Sequence, residues 1–276
     1  MALRAATPFT CPLVRLRPTL LSLSLLLAAC SGATEPEYSL VWSDEFDGPA
    51  GAAPDPQVWV ADIGTDWGNA QLEFDTNRRT NAALDGEGRL AITARQESYL
   101  NRSYTSARLK TLGRKQFRYG RFEARMQMPT GKGLWPAFWL LGANFPSVGW
   151  PRSGEIDIME YRGQEPSIVH GSIHGPGYSG GAAITRKYTL PDGRLDADFH
   201  VYRVDWSPRD IRFYLDDVLY HVIAKGDQPG DWVFDHEFFI ILNLAVGGNF
   251  IGPPDASTIF PQTLLVDWVR VYQEIR

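Results

Sequence analysis

From Tyr38 to Arg276, wherever the apolar residues of this chain keep a rhythm, they fall at every second position, the period of a strand rather than a helix. Leu90, Ile92 and Ala94 alternate with Ala91, Thr93 and Arg95, and Phe122, Ala124, Met126 and Met128 alternate with Arg121, Glu123, Arg125 and Gln127. The second set has one apolar and one polar face, as a strand covering a core does. Ile211–Leu215 and Val218–Tyr220 flank Asp216-Asp217 and read as a hairpin around a two-residue turn. Phe238 to Val246 is nearly unbroken apolar sequence, as in a strand buried on both faces, and Leu264 to Tyr272 supplies a closing strand. No internal repeat, low-complexity linker or convincing amphipathic helix interrupts the pattern. Short strands separated by Gly, Pro and Asp turns predict an all-β sandwich over residues 38–276, one curved domain rather than two.

One segment carries charge where such a strand should bury apolar side chains. Glu155-Ile156-Asp157-Ile158-Met159-Glu160 sets three carboxylates among strand formers. Clustered carboxylates repel one another and cost free energy when desolvated, so a cleft wall holding them suggests chemistry. In a regular strand 155, 157 and 159 share a face and Glu160 points away. In a helix 155 and 160 lie roughly 140° apart, so a helix does no better. A β-bulge, which inserts one residue and resets the alternation, would bring Glu155, Asp157 and Glu160 to one groove if it fell at Ile158-Met159. Two carboxylates across a groove are the equipment of glycoside hydrolysis, one as nucleophile or base and the other as general acid. Along a bulged strand 155 and 160 are roughly 13 Å apart at Cα, at about 3.3 Å per residue. Inward-leaning arms could close that to the roughly 5–5.5 Å of a retaining enzyme. The competing reading is an edge strand whose acids are merely solvated.

The surroundings favour a sugar cleft. Trp135 and Trp139 are four apart and so share a strand face, and Trp150 stands shortly before Glu155. Tryptophan usually fills cores, but three beside a carboxylate cluster suit stacking on sugar rings. Arg108 and Asn69 could hydrogen-bond sugar hydroxyls, and His174 falls about one hairpin after Glu160, where it could sit beside that acid or substrate. His170, His200, His221 and His236 show no ligand spacing, which argues against a catalytic transition metal. There is no Gly-rich phosphate loop and no Gly-x-Ser-x-Gly turn.

Residues 1–29 read as an export signal: Arg4, Arg15 and Arg17 lead into a short apolar run from Leu20 to Ala29. Leu27-Ala28-Ala29-Cys30 resembles the lipobox of bacterial lipoproteins, whose cysteine is lipidated, and residues 30–37 would form a short tether. An ordinary secretory signal with an incidental cysteine is the alternative. The expected location is therefore outside the cytoplasm, anchored to a membrane through Cys30 or else secreted. Losing residues 1–29 would remove three arginines and no acids, taking the formal net charge from −5 to −8. Such a surface disfavours nucleic acid and polyanionic sugars as partners. The other cysteine, Cys11, lies inside the signal, so the mature chain has no disulfide and depends on packing.

The hexapeptide from Glu155 to Glu160 resembles the active-site motif of glycoside hydrolase family 16 in its bulged, laminarinase-like form. The likeness extends to Trp42–Asp47, Ser106–Lys110, Tyr119–Arg125, Trp135–Gly142, Asn243–Asn249 and Val266–Tyr272, nearly the whole mature chain. The resemblance implies a concanavalin-like β-jelly roll with a concave cleft, and retaining hydrolysis of β-glucan without a catalytic cofactor. It makes Glu155 the nucleophile, Asp157 its helper and Glu160 the acid/base. It also implies a structural calcium on the convex side, held by Glu45, the backbone carbonyl of Gly88, and Asp267. Two departures stand out. Many relatives read Asn-Asn-Glu-Leu-Gln-Tyr-Tyr where this chain has Asn69-Ala-Gln-Leu-Glu-Phe-Asp75, and Trp-Pro where it has Phe250-Ile251. The expectation is a monomeric endo-β-1,3-glucanase. A relative acting on mixed-linkage glucan or a galactan, and a non-catalytic glucan-binding protein, are the alternatives.

Overall fold

A computed structural model describes residues 36–275, so the export signal (1–29), Cys30 and most of the tether lie outside the described residues. Two sheets form the domain. The larger, ten-stranded sheet runs in the order Val218–Ala224, Asp210–Leu215, His200–Trp206, Gly120–Gln127, Gln262–Glu274, Leu90–Tyr99, Arg102–Ser106, Glu73–Asp75, with Tyr38–Asp44 also on Gln262–Glu274 and Ala82–Leu84 on Leu90–Tyr99. The seven-stranded sheet runs Ile184–Thr189, Ile168–His174, Glu155–Tyr161, Leu134–Gly142, Phe238–Val246, Arg108–Lys110, Val60–Asp62. Between them lies one core, to which the first sheet gives Phe122, Ala124 and Met126 and the second Phe138, Leu140, Ile156, Ile240 and Leu242. This is the jelly-roll sandwich that the strand rhythm and the family resemblance both anticipate.

Local chemistry explains the elements. The hairpin at Asp216-Asp217 forms because both residues take positive φ (46° and 66°), the twist that a two-residue turn between right-twisted strands requires. Phe238–Val246 is buried throughout because both of its faces are covered. Ile240, Leu242 and Leu244 enter the main core, Phe239 and Ile241 pack with Leu141, and Ala245 packs with Trp135 and Ile251. The bulge in Val218–Ala224, where Tyr220 is the extra residue opposite Phe213/Tyr214, left no trace in the apolar alternation.

Two acids of the departure segment turn inward. Glu73, 1% exposed, accepts the N–H of Val246 at 2.7 Å, and Asp75, 2% exposed, accepts Trp67 Nε1–H at 2.8 Å. Burial pushes both carboxyls up, Asp75 to about 7. The start of that segment reaches the Trp135 side of the domain, where the Asn69 carbonyl accepts Asn249 N–H at 2.8 Å beside the turn that abuts Trp135, and Asp75 at its end holds Trp67.

The residues of the expected calcium site occupy neighbouring register positions on and beside the Gln262–Glu274 strand. Val266 pairs with Leu90 and Val269 with Asp44, so Gly88 and Glu45 flank Asp267. The Glu45 carboxylate is held by Arg270 (2.8 and 3.0 Å), and one Asp267 oxygen by Arg125 (2.7 Å). A cation there would have to use the Glu45 and Gly88 carbonyls and the other Asp267 oxygen. Oxygen donors of this kind suit a hard cation.

Candidate active site

The register of Glu155–Tyr161 shows the bulge where the carboxylate spacing required it. On one side Asp157 pairs with Trp139 and Met159 with Phe138, so Ile158 is the extra residue. On the other, Asp157 pairs with Ser172 and Glu160 with His170, two residues opposing one. Ile156, Ile158, Met159 and Tyr161 enter the core, and Glu155, Asp157 and Glu160 are left on the opposite face.

That face carries the remaining polar and aromatic groups of the site. Trp135 Nε1–H donates to Glu160 Oε1 at 3.1 Å, and Trp139 Nε1–H donates to Asn243 Oδ1 at 2.8 Å. The Arg108 guanidinium lies between two indoles, 4.8 Å from the Trp139 ring centre and 5.0 Å from that of Trp67, with Nε donating to Asp62 at 3.1 Å. Trp150 is 44% exposed and packs at 5.8 Å against the His174 ring. His174 is on this face but not where its distance along the chain suggested. It pairs with Glu155, and its Nε2 lies 2.9 Å from Asp157 and 3.7 Å from Glu155, whereas His170 stands opposite Glu160.

Trp67, Asn243 and Asp62 were not singled out in the sequence. Asn243 could have been, since it is the one polar side chain in an otherwise apolar buried strand. Nothing local marks Trp67 or Asp62, whose partners are distant in sequence.

Desolvation raises all three clustered carboxyls. Glu155 rises to about 8, through burial and the negative charge of Asp157 beside it. Glu160 also rises to about 8, through burial and then Asp157, against the opposing pull of the His174 ring and the Trp135 N–H. Asp157 is raised by burial and drawn back by a hydrogen bond shared with Glu155. Three such groups cannot all ionise near neutrality, so the site holds protons. One carboxyl that can give a proton and another that can attack, on a face lined by indoles, can carry out acid-assisted substitution at a sugar carbon.

The family profile described as "Glycosyl hydrolases family 16" matches residues 64–258. A β-glucanase of Rhodothermus marinus is 40% identical over 283 residues, covering 96% of this chain and 98% of that protein. A glucan endo-1,3-β-glucosidase of Cryptopygus antarcticus is 39% identical over 270 residues, covering 89% and 96%. The laminarinase catalytic domain of Thermotoga maritima superposes with a TM-score of 0.83 at 44% identity, covering 87% of this chain and all of that one.

Proposed function

The chain belongs to glycosyl hydrolase family 16, and from that premise we infer that it is an endo-1,3-β-glucanase cleaving laminarin-type glucan with retention. The observation that carries the mechanism is the bulge at Ile158-Met159, which aims Glu155, Asp157 and Glu160 at one face with Trp135 and Trp139. Glu160, protonated near neutrality, gives its proton to the glycosidic oxygen while Trp135 holds Oε1. The Glu155 carboxylate attacks the anomeric carbon. The C–O bond to the departing chain breaks, and a glycosyl ester forms on Glu155. The reactive form has a proton on Asp157, which donates a hydrogen bond to the Glu155 carboxylate. Water then attacks the ester, Glu160 takes the water proton, and the product leaves with its β-configuration restored.

Reducing-sugar release from laminarin, lichenan and agarose tests the substrate. Laminarin should be cleaved fastest, with oligosaccharides of many lengths appearing early. Preferential cleavage of agarose would contradict the assignment. The pH profile tests the acid. The falling limb of kcat/KM should reflect loss of the Glu160 proton near pH 8. Because the Trp135 N–H holds the Glu160 pKa down, Trp135→Phe should move that limb to higher pH. A limb that stays in place or moves down would remove Glu160 from this role.

Two further features belong to this reading. The lipobox-like Leu27–Cys30 supports an exported lipoprotein, for which Cys30→Ser should release the protein from membranes. The carbonyls of Glu45 and Gly88 with Asp267 support a structural calcium, for which added calcium should raise Tm and Asp267→Asn should abolish the gain.

A further inference from the structure

His174 Nε2, Asp157 Oδ2 and Glu155 Oε1 form a compact donor set in which all ligand atoms lie within 4.8 Å of one another. The nitrogen is 2.9 Å from the aspartate oxygen and 3.7 Å from the glutamate oxygen. Tetrahedral zinc, with bonds of about 2.0–2.2 Å, separates its ligand atoms by about 3.3–3.5 Å, so small side-chain adjustments suffice. A second feature points the same way. Asp157 is 4% exposed, and its Oδ2, 2.9 Å from His174 Nε2, accepts no well-formed hydrogen bond. A buried carboxylate oxygen without a donor costs free energy that a cation would recover.

We propose that Glu155, Asp157 and His174 form an inhibitory site for a borderline-soft divalent transition metal such as zinc, which would occupy the nucleophile and leave a fourth position for water. The imidazole selects against calcium and magnesium, which prefer all-oxygen shells. Ligation also has a local cost. His174 Nδ1 accepts the Gly180 N–H at 3.1 Å, so for Nε2 to offer its lone pair the ring proton must move to Nδ1, and that bond is lost. The loop can yield, since Gly180 and Gly181 have open space where a side chain would be. Glu160 is outside the donor set, and its bond to Trp135 is untouched.

Metal binding is separable from the glucanase reading, because it is measured without turnover. Zinc titrated into the purified chain against a chromogenic chelator should bind one ion per chain. His174→Asn and Asp157→Asn should each weaken binding at least tenfold, whereas Glu160→Gln and His200→Asn should retain it. Thermal melts establish that each variant is folded. Should either cleft variant fail to fold, a second measurement decides: in the inactive Glu160→Gln chain, a β-1,3-glucan oligosaccharide and zinc should displace each other. Absence of stoichiometric binding, binding unchanged by His174→Asn, or zinc and oligosaccharide bound together without competition would overturn the proposal. If zinc binds as described but laminarin is not a substrate, the site stands and the substrate assignment fails.

Discussion

Glu155→Gln is expected to lower kcat on laminarin by on the order of 10³-fold or more while leaving the oligosaccharide Kd within about threefold, because it removes a nucleophile without changing its shape. The amide fills the same volume and can still bond to Asp157 beside it, but it has no electron pair able to form the glycosyl ester. Binding by calorimetry and turnover by reducing-sugar release separate the two effects. Retention of more than a few per cent of wild-type kcat would refute the assignment of Glu155, since no other carboxylate on that face is placed to replace it without Glu160 or Asp157 giving up its own task. The indoles of Trp135 and Trp139 and the Arg108 stack are independent of residue 155, which is why affinity should survive.

The second large effect is on stability. In the folded chain Asp75 holds its proton up to about pH 7, whereas in the unfolded chain it ionises near the ordinary value of 3.8. Protons are therefore bound more tightly by the folded state. Stability from this group is complete below about pH 4, falls as pH rises, and is gone above about 7. At about 1.36 kcal/mol per pH unit the full loss is roughly 4 kcal/mol, and roughly 2–4 kcal/mol allows for adjustment by the neighbouring Glu73. Asp75→Asn keeps an oxygen for the Trp67 N–H and removes the buried charge. It should raise Tm at pH 8 by about 5–12 °C for a domain of this size, and leave Tm at pH 4 nearly unchanged. Glu73→Gln should act in the same direction, since a Gln oxygen can still accept the Val246 N–H. A Tm at pH 8 that falls in both variants would mean that the two carboxylates are stabilising as anions, contrary to their burial.

How much of this was legible in the sequence varied with the range of the interaction. The strand rhythm of Phe122, Ala124 and Met126 is local and gave the sheet face directly. The bulge was legible because three acids with that spacing cannot share a face in any regular element, so the chemistry itself required the irregularity. Trp135 and Trp139 followed from the same period-two logic. Register between strands is not local, and there the sequence indicated the neighbouring strand and the face but not the direct partner. His174 was expected near Glu160, but the pairing of Ile168–His174 sets it against Glu155 and sets His170 against Glu160. Glu73 gave no hint that it would turn inward. Its reason for doing so is an N–H at the far end of Phe238–Val246, which only the assembled sandwich brings within 2.7 Å. The Trp67–Arg108–Trp139 stack likewise joins three segments that have no sequence relation to one another.

The central claim is that Glu155 becomes glycosylated during turnover, and one measurement addresses it directly. A 2-deoxy-2-fluoro-β-glucosyl donor slows both displacement steps and lets the ester accumulate, so the intact protein should gain one glycosyl mass and peptide mapping should place it on Glu155. An adduct on Asp157 or Glu160 instead, or no adduct while the first product released from laminarin is the α-anomer, would contradict the account.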